Sequence, residues 1–402
     1  MKYIFNSLGS NYSLSFVLHA LLYFFITPPK EATLQELDQH IQKLYPDFEL
    51  GPYYFYKGRD ALEFVLTAYN LAADEPVLTQ AFTCHALEAA IRRAGGVPAY
   101  VDIEPRCMNP TLKTLEKAYA LNNTARVVII QHTLGVPAEI KKIRKWCTDH
   151  KVLLIEDLAQ AVGGVTADGE LLGTNADAII FSFGRDKIID AYSGGACLFR
   201  KKPPGFSNEN YHTVTSTTFK RDHLYPLLTY LIRASYPIGV GKVLAYLAKV
   251  FHIIQSPIKA RFEYTTALPS SLAALAARQF TQLDTQLLHR KTIAQVYFEK
   301  LSQYCPVKWE QLELGSNLRF PICVENPDQL LKFLVKKNIY IGDRWYRQPV
   351  DSGSLQYFSK YRAGSCPGAE KLAAEIVNLP THQNITEADA ARISAAVIEY
   401  LE

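Results

Sequence analysis

The chain lacks the sequence features that mark several large classes of protein. Its seven cysteines are scattered and odd in number, and no Cys-x-x-Cys pair occurs among them. This usage argues against a zinc site and indicates reduced thiols in a cytoplasmic protein. The 43 Lys and Arg residues exceed the 39 Asp and Glu by only four, without long runs of one sign. Nucleic acid is therefore not indicated as a partner, and no metal site is predicted.

A long hydrophobic run is also missing from the N-terminus. The apolar stretch from Leu14 to Ile26 is shorter than the roughly 20 residues that cross a bilayer, and no small-residue cleavage site follows it. We predict a helix that is stopped by Pro28 and Pro29. Two interpretations of this helix remain: packing on the protein's own body or a dimer partner, and contact with a membrane.

Length and periodicity predict an α/β protein of two domains packed as one body. At 402 residues the chain exceeds the usual size of one domain. Apolar strands alternate with helical segments, which predicts a mostly parallel central sheet with helices on both faces and a smaller C-terminal α+β domain. The predicted units are an N-terminal helical arm (1–50), a large α/β domain (51–223), an apolar helical insertion (224–261), and a helix pair with the small domain (262–402).

Two predicted strands end in residues that suggest shared chemistry. The strand VLLIED delivers Glu156 and Asp157 to its carboxyl end, where open α/β sheets bind ligands. The two side chains point to opposite faces, and we assign the ligand side to Asp157. The next strand ends at Ser182, and Lys187 follows in a polar turn. A lysine that forms a Schiff base and an acid that keeps a pyridinium protonated predict pyridoxal 5'-phosphate (PLP) as cofactor.

Three motifs in this region carry a resemblance to a known family. They are EDLAQ at Glu156–Gln160, SFGRDK at Ser182–Lys187 and SGGA at Ser193–Ala196. In order and spacing the chain resembles the DegT/DnrJ/StrS-type PLP-dependent aminotransferases, which transfer an amino group to keto nucleotide sugars. The resemblance implies a fold-type I homodimer. It also implies transfer of an amino group from an amino acid, expected to be glutamate, to a keto sugar used for surface glycans or secondary metabolites.

The resemblance also implies roles for individual residues. Lys187 would bind PLP and move protons, and Asp157 would pair with the pyridinium. Ser182 would reach the phosphate and Gln160 the oxygen side of the ring, although each could instead make an ordinary turn hydrogen bond. The family motif has a histidine where this chain has Gly184, so any role of that histidine is absent.

A helix start resembles the family's phosphate site. The family reads Gly-Ser/Thr-x-Ala, and this chain reads Gly58-Arg59-Asp60-Ala61. A glycine before a helix exposes backbone N–H groups to an anion. Because Arg59 replaces the hydroxyl residue, we expect the phosphate to be held by backbone groups and by the guanidinium.

The residue that stacks on the cofactor ring is less clear from the sequence. Relatives carry a threonine followed by an aromatic residue, whereas Thr83 is followed here by Cys84 and His85. Either His85 takes the stacking role by a shift of one, or the ring lies on something smaller. His132 and Gly135 match a further family loop, where the histidine could line the cleft or cap a strand.

The alternation of strands and helices breaks between residues 201 and 261. Two apolar helical segments are predicted from Leu224 to Ile254, hinged at Pro237 and Gly239. The second has an apolar stripe with lysines away from it, which fits a core or dimer-interface helix or a helix lying on a bilayer. The family's partner-contacting loop follows, with Arg261 and Tyr264 but without the usual asparagine.

Two rival functions follow from the same fold. A sugar-dehydrating relative would carry histidine in place of Lys187, so the lysine argues against that activity. A regulatory or scaffold homologue without catalysis is the other alternative. Asp157 and Lys187 argue against it, while the changes at Arg59, Cys84 and the partner loop are compatible with it.

Overall fold

The structure is a computed structural model that describes residues 2–207, 211–251, 253–254, 265–342, 344–353 and 359–402. Arg261 and Tyr264 of the predicted partner loop lie outside these ranges. The strands are β1 Ile4–Phe5, β2 Leu50–Phe55, β3 Pro76–Gln80, β4 Val97–Val101, β5 Val127–Gln131, β6 Leu153–Asp157, β7 Ala178–Ser182, β8 Gly195–Phe199, β9 Arg319–Cys323, β10 Ile339–Tyr340 and β11 Ile376–Pro380. The helices are α1 Leu14–Phe25, α2 Lys30–Leu44, α3 Gly58–Ala68, α4 His85–Arg93, α5 Leu112–Leu121, α6 Ile140–His150, α7 Ser216–Ser235, α8 Val240–Val250, α9 Ser270–Phe280, α10 Leu283–Leu301, α11 Trp309–Leu314, α12 Pro327–Lys336, α13 Pro367–Glu375 and α14 Glu387–Leu401.

A seven-stranded sheet in the order β2-β8-β7-β6-β5-β3-β4 forms the centre of the molecule. Strands β3, β4, β5, β6 and β7 run parallel, while β8 is antiparallel to both β7 and β2. Successive residues of β6 bury opposite faces: Leu154 packs into one apolar core and Ile155 into the other. Helices therefore cover both faces, which explains why the strands are near-continuous apolar runs. The predicted fold class is confirmed.

The C-terminal part of the chain forms the smaller α+β unit. Its strands β9 and β11 pair antiparallel, and helices α10, α12 and α14 belong to the apolar cluster around them. Helix α14 is capped at its N-terminus, because the Thr386 side chain accepts from the backbone N–H of Asp389. The N-terminus joins this unit, since β1 pairs with β10. The domain boundaries drawn from the sequence remain a prediction.

Three helices carry the apolar segments noted in the sequence. The N-terminal helix is confirmed as α1, and a short 3₁₀ turn followed by Gly239, with φ 86°, joins α7 to α8 at the predicted hinge. The predicted stripe of α8 does not pack in the chain's own core, because Val243 is 58% exposed and Val250 49%. Packing in the chain's own core is therefore wrong for this stripe, since only Gly241 and Ala248 of α8 are buried, while the dimer-interface and bilayer interpretations remain predictions. No helix in the described ranges is long and apolar enough to span a membrane.

Candidate active site

A cavity of about 580 Å³ lies at the carboxyl ends of the central strands. Gln131, Asp157 and Ser182, which are the last residues of β5, β6 and β7, all line it. Parallel strands end at one edge of a sheet, so three segments that are distant in sequence meet there. Lys187 lines the same cavity. The sheet therefore brings together the carboxylate and the lysine that the sequence singled out.

Lys187 is a buried amine in this cavity. Its Nζ lies 4.7 Å from the centre of the Trp345 ring. Burial lowers the pKa of Lys187, although the thiol of Cys84 and the carboxylate of Asp157 act in the opposite direction. A lysine with a lowered pKa has a larger share of neutral, nucleophilic amine near neutral pH.

Asp157 is held in one orientation by its neighbours. One carboxylate oxygen accepts from the backbone N–H of Ala159 at 2.9 Å, and the other accepts from Gln131 Nε2 at 3.1 Å. Gln131 Oε1 in turn accepts from the Thr83 hydroxyl at 3.1 Å. Burial raises the pKa of Asp157, and the Ala159 hydrogen bond and the Lys187 charge partly offset this effect. Thr83 thus acts on Asp157 only through Gln131, since it does not line the cavity itself.

The N-terminus of α3 contacts the ends of β7 and β8 very closely. A Cβ atom on Gly58 would lie 2.9 Å from the Ser182 Cβ, and one on Gly195 would lie 2.5 Å from the Gly58 Cα. The two glycines therefore allow the helix start to sit against the Ser182 hydroxyl at the cavity wall. Exposed N–H groups of a helix start beside a hydroxyl form an anion site. Gly58, Arg59 and Ser182 all line the cavity.

Asp60 of the same motif faces away from the cavity. It is fully buried, and its carboxylate lies 3.5 Å from Arg93 of α4. Burial raises the pKa of Asp60 to about 6, although the charges of Arg93 and Arg59 act in the opposite direction. Its place in the structure is thus between two helices and not in the cavity lining.

Two cations that are not among the predicted site residues, Lys57 and Arg185, also line the cavity. Lys57 and Arg185 lie 3.8 Å and 3.4 Å from the buried carboxylate of Asp222, which also accepts from the Tyr56 hydroxyl at 2.6 Å. Burial lowers the pKa of Lys57 to about 8, and Asp222 partly offsets this effect. Arg185 stands inside the SFGRDK motif and Lys57 beside Gly58, so proximity to the motifs could have identified both. Nothing local marks Asp222, which comes from α7.

Cys84, and not His85, reaches the cavity wall. His85 is buried, its backbone N–H donates to the Asp351 carbonyl, and burial lowers the pKa of its ring to about 4. Two aromatic residues, Trp345 and Tyr346, line the cavity from the C-terminal unit. Neither residue belongs to the motifs that predicted the site.

Gln160 and His132 lie behind the cavity wall. Gln160 Oε1 accepts from the Leu134 backbone N–H at 2.7 Å, and its Nε2 donates to the Tyr346 hydroxyl at 2.6 Å. It therefore reaches the cavity only through Tyr346. His132 Nδ1 accepts from the backbone N–H of Ala138 at 3.1 Å, so its Nε2 donates to the buried carboxylate of Glu156 at 2.9 Å.

Neither His132 nor Gly135 lines the cavity. Gly135 has φ 85°, and a Cβ added to it would meet the backbone N of Asn317 at 3.0 Å. Tight packing therefore accounts for this glycine. The predicted roles of the individual site residues are not tested by these positions and remain predictions.

Comparison with known sequences and structures places this geometry in a family. The sequence profile of the DegT/DnrJ/EryC1/StrS aminotransferase family matches residues 55–203 and 246–398. The chain belongs to this family. Membership confirms the resemblance and the prediction that the protein is a transaminase. Residues 204–245, which include α7, fall between the two matched segments.

Individual relatives of this family member are distant in sequence. A pleiotropic regulatory protein of Geobacillus stearothermophilus is 24% identical over 85% of this chain and 83% of its own length. The dTDP-3-amino-3,4,6-trideoxy-alpha-D-glucose transaminase of Micromonospora megalomicea subsp. nigra is 23% identical over 86% and 83%. The crystal structure of Streptomyces venezuelae DesV has a TM-score of 0.72 at 20% identity and covers 100% and 99% of the two chains. This likeness confirms the fold.

The cavity residues of this family member fit the PLP that the family uses. Ntda from Bacillus subtilis, whose structure contains bound PMP, has a TM-score of 0.69 at 19% identity and covers 99% of this chain and 85% of its own. In the present chain, the Gly58 helix start beside Ser182 suits a phosphate. The buried Asp157 carboxylate suits a cationic ring nitrogen, and Lys187 suits covalent attachment.

Proposed function

We propose that this protein is a PLP-dependent sugar aminotransferase that moves an amino group from an amino acid, expected to be glutamate, to a keto sugar. One observation carries the proposal: Lys187 and Asp157 line the same buried cavity. The names of the relatives support a sugar as the acceptor of the amino group, since they include transaminases of dTDP-linked and UDP-linked sugars. One relative is named as a regulatory protein, but the lysine and the carboxylate in one cavity favour catalysis.

Each of the cavity residues has a separate role in the proposed reaction. PLP, when bound, supplies an electron sink through its protonated ring nitrogen. Asp157, oriented by Gln131 and Ala159, holds that proton in place. Lys187 would hold the cofactor through its amine and would move a proton at the substrate carbon, and burial lowers its pKa, which favours the neutral amine. The α3 start and the Ser182 hydroxyl bind the phosphate.

The charge of the cavity supports an acceptor linked through a diphosphate. Lys57, Arg59, Arg185 and Lys187 line the cavity. They are opposed by the carboxylates of Asp157 and Asp186 in the lining and of Asp222 beside Lys57 and Arg185. The cations exceed these carboxylates by one, and guanidinium groups bind phosphate oxygens in a bidentate geometry. The dTDP- and UDP-linked sugars in the names of the relatives carry such a diphosphate.

We also propose a homodimer in the cytoplasm. Fold-type I aminotransferases build each cleft at a two-fold interface, and most oligomers of a single chain are symmetric dimers. All seven cysteines are free, which agrees with a reducing compartment. Sedimentation should give a dimer, and a fully active monomer would contradict the proposed assembly.

Borohydride reduction followed by peptide mapping tests the central assignment. The purified protein should carry a yellow chromophore, and reduction should leave a pyridoxyl group on Lys187. Lys57 serves as the internal comparison, because it is a second lysine lining the same cavity. A label on Lys57, or no label, would refute the assignment. Glutamate followed by a nucleotide-linked keto sugar should then bleach and restore the chromophore.

A further inference from the structure

Exposed apolar side chains are concentrated on three helices of this protein. Within the described ranges, all of the exposed large apolar residues except Val97, Leu121, Leu288 and Val335 lie on or beside α1, α7 and α8. They are Leu14, Leu18, Leu22, Phe25, Ile26, Leu224, Leu231, Ile238, Val240, Val243, Tyr246, Leu247, Val250, Phe251 and Ile253. A concentration of this kind on a soluble protein marks a surface that meets a partner or a membrane.

The three helices are neighbours, so their exposed faces adjoin. Phe24 of α1 stacks on Phe219 of α7 with ring centres 6.3 Å apart. Helix α8 packs on α7 where Gly241 contacts the backbone of Ile232. Each helix uses one face for these contacts and leaves an apolar face outside. We call the exposed apolar residues of α1, α7 and α8 the apolar surface.

The exposed charges on the helices that carry the apolar surface have one sign. Residues 1–30 contain no Asp or Glu, and residues 211–254 contain only Asp222. Asp222 is buried and pairs with Lys57 and Arg185, so it contributes no negative charge to the exterior. Lys220, Lys242 and Lys249 are exposed. The apolar surface is thus bordered by cations and has no exposed acidic residue on its helices.

We propose that the apolar surface docks on the face of an anionic lipid bilayer. Apolar side chains would enter the boundary between headgroups and acyl chains, and the lysines would contact anionic headgroups. A second copy of the chain is the competing occupant, because the proposed homodimer would place its two-fold interface at the cleft. If the apolar surface met itself, Lys242 and Lys249 would find no exposed carboxylate on the facing helices, so the charges favour an anionic bilayer.

Docking in this way would bring the membrane close to the cavity. Helix α7 presents Leu224 and Leu231 on its outer face, while Tyr225 on its inner face lines the cavity. Leu8, which precedes α1, and Ile254, which follows α8, line the cavity as well. The elements that carry the apolar surface therefore also form part of the cavity wall. This inference does not depend on the proposed substrate.

Vesicle flotation of the full-length protein tests the proposal. We expect co-flotation with phosphatidylcholine vesicles that contain phosphatidylglycerol, less binding at high salt, and weak binding to phosphatidylcholine alone. Lys242→Glu combined with Lys249→Glu should lower the vesicle partition coefficient by about thirtyfold or more, since each surface cation contributes about a factor of five. Lys332→Glu combined with Lys336→Glu on α12 is the matched control, because it changes the net charge equally at exposed lysines elsewhere.

A second pair of variants tests the apolar contribution without changing charge. Val243→Asn combined with Val250→Asn should also weaken flotation, while an unchanged thermal midpoint and cofactor absorbance show that each variant is folded. Absence of co-flotation of the wild type at low salt would overturn the proposal. So would equal loss in the α12 control. A wild-type dimer that does not float and that dissociates on Lys242→Glu with Lys249→Glu would assign the apolar surface to a second copy instead.

Discussion

At the scale of single residues, Asp157 has the orientation that its proposed task requires. Gln131 and Ala159 donate to its two oxygens, so its free lone pairs have a defined direction. Asp157→Asn keeps the shape and removes the charge. We expect turnover to fall by about a hundredfold or more, because charge stabilisation in a buried site is lost, while cofactor remains bound. Steady-state kinetics together with cofactor absorbance measures both, and unchanged turnover would remove Asp157 from the mechanism.

Asp222 is the residue whose loss should most disturb the charge balance of the cavity. Burial raises the pKa of Asp222, but Lys57 and Arg185 more than offset this effect and hold it below its usual value. Asp222→Asn would leave these cations partly buried without their counterion. We expect the free energy of unfolding to fall by about 3 kcal/mol.

Asp328→Asn is the matched control for that change. Its carboxylate also lies 3.4 Å from an arginine, Arg344, but 67% of its side chain is exposed. An exposed pair contributes at most about 1 kcal/mol. Denaturant unfolding of both variants makes the comparison, and equal losses would contradict the importance of burial at Asp222.

At the scale of elements, the approach of α3 to β8 is the contact on which the anion site depends. A Cβ on Gly195 would lie 2.5 Å from the Gly58 Cα, and backbone atoms cannot yield as a flexible side chain can. Gly195→Ala should therefore destabilise the protein by about 2 kcal/mol and weaken cofactor binding.

Gly342→Ala provides the control for this prediction. A Cβ at Gly342 meets nothing within 4 Å, and its φ is not positive. We expect a change in unfolding free energy of less than about 1 kcal/mol. Thermal unfolding compares the stability of the two variants, and cofactor titration compares Gly195→Ala with wild type. A Gly195→Ala protein with wild-type cofactor affinity would separate this packing from the proposed phosphate site.

At the scale of the whole molecule, buried histidines should make the fold sensitive to acid. Burial lowers the pKa of His382 to about 3 and the pKa values of His85 and His223 to about 4. The unfolded chain binds these protons near pH 6.5, so the folded state binds fewer protons below that value. The stability is complete above about pH 6.5 and falls as the pH falls, by up to about 1.4 kcal/mol per pH unit for each histidine.

Comparison of slopes tests this acid sensitivity. Denaturant unfolding between pH 7.5 and 5 should give the same slope for His382→Gln and wild type above about pH 6.5, and below it a slope for the variant that is smaller by up to about 1.4 kcal/mol per pH unit. His19→Gln is the control, because that ring lies on the exposed part of α1. The same slope in wild type and His382→Gln would show that His382 does not contribute.

The sequence by itself determined the central strands, their parallel arrangement and the positions of Asp157, Ser182 and Lys187 at or after strand ends. These features depend on local patterns, since apolar runs form strands and the carboxyl ends of parallel strands meet at one edge. The motifs then indicated the chemistry. The helix start at Gly58, which we propose binds the phosphate, was also recognisable in the sequence, because a glycine before a helix is a local signal.

Only the tertiary structure decided which other side chains reach the cavity. Gln131, Tyr225 and Trp345 come from segments far apart in the chain, and contact between such segments leaves no local signal. The choice between Cys84 and His85 depended on how α4 sits against the Asp351 loop. Periodicity identified the apolar stripe of α8 but not its direction, because burial is set by what packs against a helix and not by the helix itself.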